Sequence, residues 1–231
     1  MQLPNWTDPV PDISTRLGDG NIHVWRFDLG KPIDNEFVSI LSNNERTHLE
    51  TLKHGNTAKQ YFNTRYHVRH ILGLYLNMPA SALKFTIAPG GKPQLLEANL
   101  HFNLSHSHDL GLLAISGTTA VGVDIEKIRP NKQLHKIARR LFPRGICEQL
   151  AHGNRKEQQA SFFHEWTAME ARQKCQGRGI FKAPVAPQDV HCQHFIPEKN
   201  YIAAVAVERT SRLPMLQLLN SQTSMYDAFA Q

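Results

Sequence analysis

Apolar and polar positions along the chain follow two rhythms, one of period two and one of period 3.6, and these predict a mixed α/β protein. Residues 1–20 are rich in Pro, Asp and Gly and read as an irregular lead-in, followed by a short β-type run at 22–27, IHVWRF. Ser42, with Glu45 three residues on, has the form of a helix-opening capping box. His54 and Gly55 interrupt that helix, and a second helix over 57–77 turns Tyr61, Val68, Leu72 and Tyr75 to one face. A turn is expected at 89–93, PGGKP. Two strands follow at 111–116 and 120–125, joined by 117–119, with Pro130 ending the second. Helices are expected at 133–141, 146–152 and 158–175, the last stopped by Gly177 and Gly179. A buried-type strand, YIAAVAV, occupies 201–207, and residues beyond about 211 read as a polar tail. No repeat or low-complexity linker breaks the series, so the alternation predicts α/β or α+β architecture.

Composition narrows the classes. With 231 residues, 41% hydrophobic and 20% charged, the chain has enough apolar material for a folded core. It contains no apolar run of membrane-spanning length, and its first residues lack the basic and apolar regions of a secretory signal. Cys147, Cys175 and Cys192 form an odd set without CxxC spacing, which points to a reducing, cytoplasmic setting rather than a disulfide framework. The formal charge is +6, and thirteen histidines add to it at mildly acidic pH. Such an excess suits an anionic partner, although solubility alone would also account for it.

Two pairs of residues carry candidate chemistry. Asp124 and Glu126 stand one residue apart on a predicted strand, so both carboxylates project to one side. Like charges this close favour a hard divalent cation with oxygen ligands, but two solvated acids at a strand edge would show the same spacing. Glu170 and Lys174 share a helix face at i,i+4, which fits either a metal–phosphate site or an ordinary surface ion pair.

The residues around these pairs form a recognisable set. Gly122-Val123-Asp124-Ile125-Glu126 is followed by Trp166-Thr167-Ala168-Met169-Glu170-Ala171-Arg172-Gln173-Lys174 and Gly177. Together they resemble the two-part signature of the 4′-phosphopantetheinyl transferases of the surfactin-synthetase-activating type, G-x-D-x-E and W-[ST]-x-K-E-[SA]-x-x-K-x-x-G. Phe102-Asn103-Leu104-Ser105-His106-Ser107 is similar to that family's F-N-x-S-H-S segment, and Gly91-Lys92-Pro93 to its G-K-P turn. The one departure is Met169, where the family carries lysine.

The resemblance implies a pseudo-twofold pair of similar α/β halves with the site in the cleft between them. It assigns 1–115 to an N-terminal half contacting the coenzyme A nucleotide, 116–210 to a C-terminal half with the metal and catalytic motifs, and 211–231 to the tail. The implied reaction moves phosphopantetheine from coenzyme A to a serine of an apo acyl- or peptidyl-carrier protein and releases 3′,5′-ADP. Asp124, Glu126 and Glu170 would hold Mg²⁺, with Glu170 as general base and Lys174 stabilising phosphate charge. Gly91, Lys92, Pro93, Ser105, His106, Asp124 and Lys174 are the implied coenzyme A contacts, His106 at the 3′-phosphate; Lys53 and Lys59 fall near the family's basic phosphate contacts and read nearly as well as solvated surface lysines. The basic ridge of His135, Lys136, Arg139 and Arg140 would suit an acidic carrier helix if Leu141 and Phe142 formed an exposed apolar tip, but Leu141 and Phe142 as core beneath a solvated basic face is the favoured reading. A monomer without nucleic-acid or membrane partners is expected.

Three alternatives stay open. Another magnesium-dependent phosphoryl enzyme, such as a nucleotide hydrolase, would share the carboxylates but leave 91–93 and 102–107 unexplained. A nucleic-acid module would need interleaved aromatics, and these are only 8% of the chain. For a non-catalytic relative, Met169 is the single hint.

Overall fold

The computed structural model describes residues 3–9, 13, 17–18, 20–52, 55–179, 185, 187–209 and 214–221. The elements run β1 (Asn21–Asp28), α1 (Asn43–Thr51), α2 (Asn56–Leu76), β2 (Phe85–Ile87), β3 (Pro93–Leu95), β4 (His101–Ser107), β5 (Leu110–Ser116) and β6 (Val121–Lys127). They continue with α3 (Leu134–Leu141), α4 (Arg144–Leu150), α5 (Arg155–Cys175), β7 (Val190–Phe195), β8 (Tyr201–Glu208) and β9 (Met215–Asn220). One sheet has the order β4-β5-β1-β9, a second the order β6-β8-β7, and β2-β3 form a small hairpin.

Period-two alternation sorts the strands into layers. Trp25 and Phe27 of β1 and Leu113 and Ile115 of β5 pack against Tyr66, Val68, Ile71 and Leu72 of α2. The opposite faces, with Ile22, Val24, Leu112 and Ala114, meet Val121, Val123 and Ile125 of β6 and Ala203, Val205 and Val207 of β8. On the far side of the second sheet Ala204 and Ala206 pack under Ala171 and Cys175 of α5. The order of layers is therefore helix, sheet, sheet, helix, with a 21-residue helix on each outer face. Each sheet carries one of the long helices, with four strands in the first, including β9 from beyond residue 115, and three in the second.

Several expectations are corrected here. Met215–Asn220, inside the stretch read as a polar tail, is a strand that pairs in parallel with β1. Tyr61 is only half-buried, edge-on to His48 and beneath the Arg65 guanidinium, whereas Val68, Leu72 and Tyr75 are buried. Phe142, by contrast, takes the favoured core place, buried against Phe162 in the cluster beneath α3 and α4. Met169 joins that cluster with Trp166, so its thioether packs among apolar groups. No helix among the described residues is long and apolar enough to cross a membrane.

Gly122 sets the spacing between β6 and α5. A Cβ at this position would collide with the Ala171 carbonyl and the Cys175 amide, both main-chain atoms of α5. Gly122→Ala is expected to push α5 off the strand and destabilise the protein by about 1–3 kcal/mol, the range for overpacking a filled interior. Chemical denaturation checks this; an unchanged midpoint would mean that the contact relaxes freely.

Candidate active site

The open edge of β6 lies beside β4, and β4 side chains supply the bonds that a further strand would have made. Asn103 Oδ1 accepts from the Val123 amide at 2.8 Å, and Ser107 Oγ accepts from the Lys127 amide at 3.2 Å. The alternation that aims Asn103 at β6 also aims Ser105 and Ser107 there. Ser105 Oγ donates to Asp124 Oδ1 at 2.9 Å, and Ser107 Oγ donates to Glu126 Oε2 at 3.0 Å.

Above β6, α5 brings Lys174 to the same oxygen. Its Nζ lies 2.6 Å from Asp124 Oδ1 and donates to Ser105 Oγ at 3.0 Å. Glu170 and Lys174 share a helix face, as their spacing predicts, yet the ammonium's ion-pair partner is Asp124 and not Glu170. Asp124 is 4% exposed, and its second oxygen, Oδ2, is buried without a hydrogen-bond partner. An orphaned carboxylate oxygen inside a protein is costly unless something positive reaches it.

Electrostatics tie the three acids together. Burial, then the charges of Asp124 and Glu126, raise the Glu170 carboxyl to about 7 against the opposing pull of Lys174. Burial and Asp124 likewise raise Glu126, with Ser107, Arg129 and Lys174 opposing. Asp124 is raised by burial despite Lys174 and Ser105. His106, exposed near the end of β4 on the face it shares with Phe102 and Leu104, is lowered by desolvation and by the Lys174 ammonium. Such a group of displaced carboxylates is the usual mark of a functional centre.

The chain matches known proteins over this region. Residues 120–210 match the 4′-phosphopantetheinyl transferase superfamily. The 4′-phosphopantetheinyl transferase HetI of Nostoc sp. is 32% identical over 219 residues, covering 86% of this chain and 92% of the relative. This chain belongs to the 4′-phosphopantetheinyl transferases. Sfp of Bacillus subtilis is 27% identical over 157 residues, 66% of this chain and 69% of its own. The psf-1 transferase of Bacillus pumilus is 36% identical over 114 residues, about half of each chain.

In this transferase the structure gathers Asp124, Glu126, Glu170, Lys174, Ser105 and His106 around the β4–β6–α5 junction. Ser107 and Asn103 belong to the same array. Their signal was the period-two register with Ser105, which places all three on one face of a strand. Among the described residues no three His, Cys, Asp or Glu side chains converge closely enough to hold a metal ion. The donor chemistry still fits a hard cation: the acids offer only oxygen, and the Asp124 Oδ2 atom lacks a donor.

Two of the basic residues expected at the nucleotide, Lys59 and Lys92, hold main-chain carbonyls. Lys53 lies outside the described residues. Lys59, near the start of α2, donates to the Gly30 carbonyl. Gly91, at φ +84°, shapes the turn of the β2–β3 hairpin and Pro93 begins β3. Between them Lys92 sends its ammonium to the Val121 and Cys175 carbonyls.

Proposed function

We propose that this transferase moves the 4′-phosphopantetheine arm of coenzyme A onto a serine hydroxyl of an apo acyl- or peptidyl-carrier protein, releasing 3′,5′-ADP, in the manner of the surfactin-synthetase-activating type. The observation that carries the reading is the meeting of Asp124, Glu126 and Glu170 with Lys174, in which Glu170 is raised to about 7. A carboxyl with that affinity for protons is matched to accepting one from an alcohol near neutral pH. Glu170 is accordingly the general base that takes the carrier serine proton as its oxygen attacks the β-phosphate.

Lys174 supplies positive charge to the transferring phosphate and to the leaving 3′,5′-ADP. Ser105 holds Asp124 Oδ1 in place, and Ser107 does the same for Glu126 Oε2. His106 meets the coenzyme A 3′-phosphate, whose charge would reverse the depression of the imidazole. Asp124, Glu126 and Glu170 would hold Mg²⁺, which neutralises charge on the coenzyme A pyrophosphate.

The exposed ridge of α3, with His135, Lys136, Arg139 and Arg140, suits an acidic carrier surface by speeding encounter and orienting it. Since Phe142 is buried, that recognition is electrostatic and salt-sensitive rather than apolar. Incubation with coenzyme A, Mg²⁺ and apo-carrier proteins should add one phosphopantetheine mass to a carrier, and a chelator should stop the addition. Absence of any mass gain, with coenzyme A intact, would overturn the proposal.

A further inference from the structure

An α-helix ends with four main-chain carbonyls that have no partner inside the helix. In α5 these belong to Arg172, Gln173, Lys174 and Cys175, the turn that carries Lys174. The Gln176 amide reaches Arg172 O at 3.3 Å, the Gly177 amide reaches Lys174 O at 3.2 Å, and the Arg178 amide reaches Gln173 O at 2.8 Å. Gly177 is left-handed at φ +64°, which completes a Schellman motif. The Cys175 carbonyl is left over.

A side chain from elsewhere in the sequence fills that gap. Lys92 Nζ donates to Cys175 O at 3.2 Å and to Val121 O at 2.7 Å. One ammonium thereby joins the first residue of the strand bearing Asp124 and Glu126 to the last residue of the helix bearing Glu170 and Lys174. The hairpin that delivers Lys92 is seated against the same turn: a Cβ on Gly90 would strike the Gly177 carbonyl. Cys175 Sγ adds a contact of 3.2 Å to Ala120 O, beside the start of β6. A cation at a helix C-terminus is also favoured by the helix dipole.

We infer that Lys92 is a positioning residue, clamping the C-terminal turn of α5 to β6 so that Glu170 and Lys174 stand at a fixed separation from Asp124 and Glu126. The catalytic meaning of the clamp rests on the reaction proposed above; its existence does not.

Lys92→Met keeps the aliphatic stem and removes the donors. Hydrogen-exchange mass spectrometry on the full chain without coenzyme A should show amides of residues 174–178 exchanging about tenfold faster, with α2 unchanged. In carrier-loading kinetics kcat should fall by about tenfold or more, as expected for misplaced catalytic groups, while KM for coenzyme A stays within about twofold. Lys92→Arg retains donors and should recover most of both. Unchanged exchange at 174–178 would overturn the clamp, as would a tenfold rise in KM at constant kcat. If Lys92→Met does not fold by circular dichroism, Lys92→Gln is scored by the same exchange criterion. A wild-type protein inactive on every carrier would remove the proposed reaction, and the exchange result would still decide the clamp.

Discussion

Glu170→Gln is expected to abolish transfer and, above neutral pH, to raise the melting temperature. The loss in kcat should be about 10²- to 10⁴-fold, the span associated with a positioned proton acceptor. The gain in stability follows from the same cause. Burial and the neighbouring Asp124 and Glu126 lift Glu170 to about 7, so its charged form is held less favourably in the fold than in the unfolded chain. A group raised in this way contributes stability below its unfolded value, near 4.5, and loses that contribution as pH climbs through about 7. Glutamine does not titrate. The two proteins should melt alike near pH 4.5 and diverge as pH rises to 8, with the variant higher by about 2–4 °C per kcal/mol relieved. A variant melting below wild type at pH 8 would show that Glu170 is satisfied by a cation rather than strained by its neighbours. Intact turnover would remove Glu170 from the role of base.

What the sequence made legible divides by range. Asp124 and Glu126 share a face because a strand has period two, and Glu170 and Lys174 share one because a helix has period near 3.6; both are local rules. The pairing of Lys174 with Asp124 spans fifty positions and has no local signature, so the helix spacing alone suggested Glu170 as its partner. Parallel pairing of β9 with β1 is equally non-local, and a six-residue MLQLLN segment reads as a tail until its partner is known. β7, VHCQHF, has no period-two pattern to read: its two buried residues, Val190 and Phe195, stand five apart and turn to opposite layers, with polar residues between them. Lys92 shows a third limit. Its GKP turn was legible, but a lysine's four-carbon stem reaches either a ligand or a carbonyl, and only the surrounding helix end decides which.

Arg69 carries the second large expectation. It is 1% exposed, and its Nε and Nη2 both reach Glu45 Oε2, at 2.9 and 2.6 Å. Its Nη1 donates to Ala80 O and Leu83 O at 2.9 and 3.0 Å, and its guanidinium lies 5.1 Å from the Phe85 ring centre on β2. One residue of α2 thus fixes α1, the 80–83 turn and the strand leading to the Lys92 hairpin. Arg69→Met should cost about 3–5 kcal/mol, because it strands a carboxylate and two carbonyls together. The lower part of that range is expected, since Arg65 Nε stands 3.7 Å from Glu45 Oε1 and remains as a weaker partner. Adding Glu45→Gln should restore only part of the loss: the unpaired charge disappears, but Ala80 and Leu83 still lack a donor. The pH dependence separates these terms. Burial pushes Glu45 up, but its bonds to Arg69 and the Ser42 amide outweigh that and hold it below its ordinary value. The ion-pair share is therefore present above the unfolded value and fades as pH falls through the folded one. Denaturation of the two proteins from pH 7 to pH 3 should show the gap narrowing to the cost of the orphaned carbonyls and the lost arginine packing. A gap that stays constant would assign the whole effect to those neutral contacts.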